Sequence, residues 1–472
     1  MPHLNLQRLK LHDYRCFEAI DVEFHPRLTV LVAANGVGKT SILDAIAVAF
    51  GPYIGAFDEA VGKHFEPSDI RQFQVRTTAT NEMEYAAHGV SLEATGSIPG
   101  SMEDSVGGNL TSWSRSLASP VKAKTTIKDA KELIDYGKRM QRAVRTPGHA
   151  ALLPVIAYYG TGRLWQQKKL TWTKGIHRTS RTIGYTDCLD PASSYKAFVE
   201  WFRYWNLNAK DARIKAQEKG QQTTGSEFDG YIQSVSGAVN TCLQPAGWKD
   251  IEYSFSRDAL VAHHERFGEL PVELLSDGIR NMIGMVADIA FRATKLNGQL
   301  GAQAATQTPG IVLIDEVDMH LHPEWQQVVL QNLTQAFPAI QFIVTTHSPQ
   351  VLTSVDASSI RQLRQAFDPE TGQTVSVVEA VTTQTRGVSS ADLLARIMNV
   401  NPVPDVPEAR MLADYQALIQ QNQHDTDDGR ALRSRLMQHF GTEHPIMRDC
   451  DRLIRLQGFK QRLPRMSGNV EG

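Results

Sequence analysis

The stretch from Leu28 to Ala49 constrains this chain more than any other. Leu28-Thr29-Val30-Leu31-Val32 is an apolar run of strand type. Ala33-Ala34-Asn35-Gly36-Val37-Gly38-Lys39-Thr40 is a glycine-bearing turn closed by Lys-Thr, and Ser41 to Ala49 repeats apolar residues at helical spacing. Strand, glycine-rich turn, Lys-Thr and helix together make the local architecture of a phosphate-binding loop. Glycines let backbone N–H groups curl around phosphate oxygens, and the helix N-terminus adds partial positive charge. We therefore expect Asn35, Gly36, Gly38, Lys39, Thr40 and Ser41 to hold a nucleotide. Lys39 would reach its outer phosphates, and Thr40 would offer its hydroxyl to Mg²⁺. Ala33 stands where such loops usually begin with glycine, the smallest change available there.

A second stretch, Ile311 to Pro323 (IVLIDEVDMHLHP), answers the first. Ile311 to Ile314 reads as a buried strand of a parallel sheet, ending abruptly in Asp315 and Glu316. Carboxylates at the carboxyl end of such a strand lie where open α/β sheets place their ligands. Asp315 fits a Mg²⁺ partner, and Glu316 fits a base for an attacking water. Further on, Ile340 to Thr346 reads as another buried strand, followed by His347-Ser348-Pro349.

Composition decides a few questions. A chain of 472 residues has material for two or three domains. A formal charge of −2 selects no polyanion, so any nucleic-acid contact needs a local basic patch. Cys16, Cys188, Cys242 and Cys450 form no CxxC pair, which fits a reducing compartment. No apolar run approaches the ~18 residues of a membrane span, so the expectation is a cytoplasmic protein without a membrane partner.

Along the chain, residues 4–11 and 20–24 read as strands, Gly51-Pro52 as a helix break, and 97–120, rich in Gly, Ser and Pro, as a surface loop. Residues 121–145 read as a basic helix. Leu152 to Tyr159 reads as a strand, and Gly160-Thr161-Gly162-Arg163 as a weak second phosphate-facing turn. Lys168, Lys169, Lys174 and Arg178 beside Trp165 and Trp172 could serve nucleic acid by charge and stacking. Phe198, Trp201, Phe202, Tyr204 and Trp205 form an aromatic helix of core type. Gly298 to Pro309 reads as a mobile low-complexity loop, and 359–381 as a hairpin. Asp425, Asp427 and Asp428 lie in polar surroundings, not at a strand end, so no nuclease centre is read there.

The phosphate-binding loop, Leu275-Ser276-Asp277-Gly278-Ile279-Arg280, the Asp315-Glu316 strand and Thr345-Thr346-His347-Ser348 occur in an order that resembles the ATP-binding-cassette ATPases of the SMC and RecF type. The resemblance implies an α/β fold: an ABC-type P-loop ATPase head with a long helical insertion and a C-terminal helical domain. It implies ATP and Mg²⁺ as cofactors, with Thr40 and Asp315 on the metal, Glu316 and His347 catalytic, and Arg15 near the nucleotide. Ser276 and Gly278, in a signature motif whose usual glycine is Asp277 here, would cap the ATP of a second subunit. His320 and His322 are structural in that frame, and Gln72 and Gln74 are candidates for the family's glutamine loop.

Residues 157–163, the aromatic cluster at 198–202 and Leu393-Leu394-Ala395-Arg396-Ile397-Met398 narrow the resemblance. They are similar to the PtuA-like ATPase subunits of Septu and retron-associated anti-phage systems. That likeness implies a homodimer or higher homo-oligomer, a small HNH nuclease partner of the PtuB kind, and nucleic acid reached through the complex. The expected parts are residues 1–97 (N-terminal lobe), 98–250 (insertion), 251–385 (C-terminal lobe) and 386–472 (helical domain for assembly or partner docking). A RecF-like DNA clamp and a nucleotide-gated scaffold with little hydrolysis share every motif. An OLD-type effector lacks its nuclease here. A transporter cassette is excluded by the roughly 230 residues between loop and signature.

Overall fold

In chain order the hairpin β1 (Asn5–Tyr14) and β2 (Phe17–Glu23) precedes β3 (Leu28–Val32), which runs into helix α1 (Lys39–Ile54). A small hairpin, β4 (Gln72–Arg76) and β5 (Asn81–Tyr85), is followed by β6 (Val90–Ile98), β7 (Asn109–Leu117), α2 (Lys131–Arg145) and β8 (Val155–Tyr159). Helices α3 (Tyr195–Glu218) and α4 (Glu227–Leu243) lead to the meander β9 (Trp248–Ser254), β10 (Ala259–His264) and β11 (Gly268–Pro271). Then come α5 (Asp277–Leu296), α6 (Ala304–Gln307), β12 (Gly310–Ile314), α7 (Pro323–Gln326) and α8 (Val329–Ala336). The lobe ends with β13 (Ile340–Thr346), α9 (Pro349–Leu352), β14 (Ile360–Asp368), β15 (Gln373–Ala380) and α10 (Ser390–Arg396). This computed structural model describes residues 3–76, 81–100, 109–121, 123–148, 150–164, 180–191, 195–220, 225–369 and 372–462.

The central sheet has the order β15-β14-β3-β13-β12-β8. β8, β12, β13, β3 and β14 run parallel, and β15 closes one edge antiparallel. β8, β12 and β13 are buried at every position, as strands covered on both faces must be. The α/β class and the ATPase-head architecture expected from the sequence are what the chain adopts, with helices added in the middle and at the end. A second sheet, β2-β1-β6-β7, is antiparallel, and α1 contacts both sheets. Gln341 on β13 ties the two sheets together. Its buried amide accepts from Leu6 N (2.9 Å) and donates to Leu6 O (2.8 Å), next to the register shift between Leu6 and Arg8.

Two local readings fail together, for one reason. Residues 109–117 form β7, and α1 continues through Gly51 and Pro52 to Ile54. Pro52 has no N–H for the Val48 carbonyl one turn back, the defect that should end a helix. Arg115 on β7 supplies the missing donor, its guanidinium 2.6 Å from Val48 O, and Trp113 Nε1 donates to Ala49 O at 2.9 Å. A Cβ at Gly51 would lie 2.1 Å from Lys63 O, so that position needs glycine. The supposed loop is thus what keeps the helix whole. Residues 298–309 also differ from expectation. Ala304 and Ala305 are buried, Ala305 N donates to Ser234 Oγ, and buried Asn297 bonds both Leu153 and Thr308.

Phe198, Phe202 and Trp205 of α3 lie in the main core, Trp205 against Phe291, as the aromatic pattern suggested. The basic-aromatic stretch at 165–179 lies outside the described residues. The chain divides into two compact units, Met1–Met398 and Asn399–Gly472. The second is built from α11 (Pro407–Gln420), α12 (Asp427–Phe440) and α13 (Pro445–Arg462) around Tyr415, Ile419, Leu436, Met447 and Cys450. Asp427 and Asp428 sit in the first turn of α12, where Thr426 caps the helix and carboxylates suit its positive end. No described helix is long and apolar enough to cross a membrane.

Candidate nucleotide site

The turn after β3 is shaped for an anion. Gly36 and Gly38 have φ of +77° and +107°. A Cβ on Gly38 would fall 2.3 Å from Phe17 Cζ and 2.7 Å from Cys16 Sγ, so only glycine fits. Gly38 also caps α1 without a side-chain bond, and the first turn carries no acid. That leaves the positive helix end open to a negatively charged ligand. Lys39, only 6% exposed, donates from Nζ to Ala33 O (3.1 Å) and Ala34 O (3.2 Å). Burial pulls its pKa down, and the carboxylates of Asp315, Glu316 and Asp318 push it back up. Ala33 is itself buried and its methyl group is accommodated. Asn35 is exposed on the same turn, and Ser41 lies in the first turn of α1.

Asp315 lies beside this turn because β13 is the strand between β3 and β12. Thr40 Oγ1 donates to Asp315 Oδ2 at 2.7 Å, and Thr345 Oγ1 donates to Oδ1 at 2.6 Å. Its backbone N–H donates to Tyr159 O at 2.8 Å. The hydroxyl of Thr40 and the carboxylate of Asp315 are hard oxygen donors, of the type Mg²⁺ accepts while keeping water and phosphate ligands. Among the described residues no group of three or more His, Cys, Asp or Glu could hold a metal ion. The donor set therefore fits a cation shared with a phosphate and not an all-protein cage.

Glu316 has φ of +48°, in the left-handed region that a residue with a side chain rarely occupies. Such a backbone costs roughly 1–3 kcal/mol and persists only where its surroundings fix it. Here Glu316 N donates to Thr345 Oγ1 (2.8 Å), Val317 N to Thr345 O (3.0 Å) and Met319 N to Glu316 O (3.0 Å). His347 follows β13, half-buried. Burial, then the charge of Lys39, lowers its pKa below the usual imidazole value. Asp318 accepts from Thr346 Oγ1 at 2.5 Å, and Ser348 caps α9.

Arg15 leaves the β1–β2 turn, where its own φ is +50°, and bonds Asp69 (2.8 Å) and Asp44 (2.6 Å). Asp44 is one turn beyond Thr40 on α1 and also draws in Lys63 at 3.4 Å. The i,i+4 spacing from Thr40 is the sequence signal for Asp44. Ser276 is the N-cap of α5. Gly278 sits where a Cβ would strike His320 O at 2.4 Å, and Asn281 Nδ2 donates to Met319 O. Within one chain the signature thus packs on the loop after Glu316. His322 caps α7, accepting from Glu324 N, and Gln72 and Gln74 are exposed on β4. A Cβ at Gly160 would meet Pro191 at 2.5 Å, so that glycine serves close packing.

An AAA-domain family model matches residues 8–234, and a second AAA-domain model matches 249–353. The chain is 25% identical to the "Retron Ec83 probable ATPase" of Escherichia coli, over 93% of this chain and 84% of that protein. It is 24% identical to the "Retron Vc95 probable ATPase" of Vibrio cholerae, over 93% of this chain and 88% of that one. A shorter match, 44% identical over 78 residues, joins it to the Septu protein PtuA of Bacillus mycoides, covering 16% of this chain and 10% of PtuA.

Proposed function

We propose that this SMC/RecF-like ATPase, a relative of PtuA and of the retron ATPases, uses its ATP cycle to control a partner nuclease of the small HNH type in an anti-phage complex. The observation that carries the reading is the joint cluster of Lys39, Thr40, Asp315 and Thr345 at an uncapped helix N-terminus. Those residues suit a triphosphate, and nothing about the cluster suits a redox cofactor or a covalent intermediate.

In the proposed mechanism the N–H groups of Asn35 to Ser41 take the phosphates, and Lys39 exchanges two backbone carbonyls for phosphate oxygens. Thr40 and Asp315 would hold Mg²⁺, which would supply neutralisation of phosphate charge. Glu316 polarises water from a backbone fixed by Thr345. His347 donates to the terminal phosphate and loses that contact after hydrolysis. Arg15 braces the turn through Asp44 and Asp69. Ser276 and Gly278 close the site of a second copy, so turnover belongs to the homodimer or a larger ring. Exposed faces within residues 98–250 and 386–472 are the surfaces for assembly and for the nuclease, and nucleic acid is met through the complex.

Expression from the native operon, affinity capture and mass identification of the co-purifying chain test this reading. A stoichiometric small protein with an HNH motif is expected. Capture of no partner, together with ATP-dependent clamping of gapped or duplex DNA, would replace it with a RecF-like repair role.

A further inference from the structure

Two adjacent tyrosines end β8, and successive strand residues point to opposite faces of a sheet. Tyr158, 3% exposed, holds its ring centre 5.6 Å from the Lys63 ammonium, which in turn reaches Asp44 Oδ1 on α1 at 3.4 Å. Tyr159, also 3% exposed, donates from its hydroxyl to Asp288 Oδ2 on α5 at 2.7 Å. The same Asp288 oxygen accepts from Arg292 Nε at 2.7 Å, and Arg292 reaches on to Gly184 O and Thr186 O. Between these side chains, the Tyr159 carbonyl accepts the N–H of Asp315 at 2.8 Å. The parallel register that pairs Tyr159 with Ile314 sets this last bond.

We propose that Tyr158 and Tyr159 are positioning residues, a two-sided tie that holds Asp315 in register with the P-loop helix on one face and with the signature helix on the other. This rests on the function proposed above, in which the N-terminus of α5 meets a second subunit's nucleotide. Asp288 stands eleven residues into α5 from Asp277, about 16 Å along the helix axis. A shift of α5 when its N-terminus engages a nucleotide is carried through Asp288 and the Tyr159 backbone to the Asp315 N–H. Tyr158 keeps Thr40, on the same helix face as Asp44, aligned from the other side. Engagement at one nucleotide is thereby reported to the metal ligands of the other.

The variants are Tyr159→Phe, Tyr158→Leu, Asp288→Asn and the Tyr159→Phe/Asp288→Asn pair, each in the full chain. Phosphate release against ATP concentration gives kcat, KM and the Hill coefficient. A fluorescent ATP analogue gives nucleotide affinity, and thermal melting reports folding. Tyr159→Phe and Tyr158→Leu are expected to lower kcat about tenfold or more, as small misplacements of a catalytic group do. Affinity should stay within about twofold, and the Hill coefficient of Tyr159→Phe should fall to one. The double variant should be no worse than Asp288→Asn alone, because that change already disturbs the contact Tyr159→Phe removes, besides unpairing Arg292. Unchanged kcat and cooperativity in folded variants would overturn the tie while leaving the ATPase reading intact. So would kcat and affinity of the tyrosine variants falling together with their melting temperature, which is the mark of plain structural support. Wild-type protein that binds no analogue and releases no phosphate would overturn both.

Discussion

Two buried aspartates, Asp315 and Asp288, are built for opposite purposes. Asp315 receives the hydroxyls of Thr40 and Thr345. Asp288 receives a guanidinium, that of Arg292, along with the Tyr159 hydroxyl. Hydroxyl donors can yield to a cation at little cost, since each bond contributes only about 1 kcal/mol net. A guanidinium buried beside a carboxylate cannot leave without stranding a charge. One carboxylate is set up to change partners during a reaction, and the other to keep its partner. Proximity to a ligand-shaped turn does not create that difference; the choice of donor does.

Several substitutions break or sharpen this contrast. The largest effect belongs to the exchanging side. Glu316→Gln should lower phosphate release by roughly 10²–10⁴-fold while nucleotide binding persists, as loss of a general base does. Unchanged turnover would make the chain a scaffold. On the permanent side, Arg292→Met should destabilise by about 3–5 kcal/mol in denaturant titration, because Asp288 is left buried with its charge. Adding Asp288→Leu should recover most of that loss. If the single and double variants are equally unstable, the pair is not what holds α5.

A second structural guanidinium extends the comparison. Arg115→Met should cost about 1–3 kcal/mol by uncovering the Val48 and Lys63 carbonyls. Pro52→Ala in that background should return part of it, since residue 52 then donates to Val48 O again. Absence of any rescue would show that Arg115 matters for something other than the helix end. The smallest effect concerns His347. Its imidazole stays neutral to a lower pH in the folded chain than in the unfolded one, through burial and then the charge of Lys39. The unfolded chain therefore binds the proton first, and stability falls as pH drops below about 6.5. His347→Gln should flatten that slope in melts between pH 5 and 8, and an unaltered slope would assign it to another group.

How much of this was legible in the sequence follows from how local each signal is. The turn at 33–40 and the strands ending at Asp315 and His347 carry their own glycines, apolar runs and charges, so each could be read within a dozen residues. Arg15 was reached through resemblance, and Asp44 was missed although it lies one turn from Thr40. The strand at 109–117 was hidden because its function lies elsewhere: Arg115 answers Pro52, and neither residue makes sense without the other. The bond from Tyr159 to Asp288 spans 129 positions and leaves no periodic trace. The ordered segment from Asn297 onward reads as low complexity because groups outside it, the Ser234 hydroxyl and the Leu153 backbone among them, supply its order.

The reach between Thr40 and Asp315, 275 positions along the chain, has a consequence for synthesis. On the ribosome the P-loop emerges long before the strand that completes it. The last turn of α1 likewise waits for Arg115 and Trp113, more than sixty positions later. A ligand stabilises only the state that binds it, so ATP offers no assistance to the nascent N-terminal half. Contacts this distant must be found by search after their partners exist, which slows maturation. Until Asp315 has emerged, the growing chain therefore lacks one half of its candidate nucleotide site.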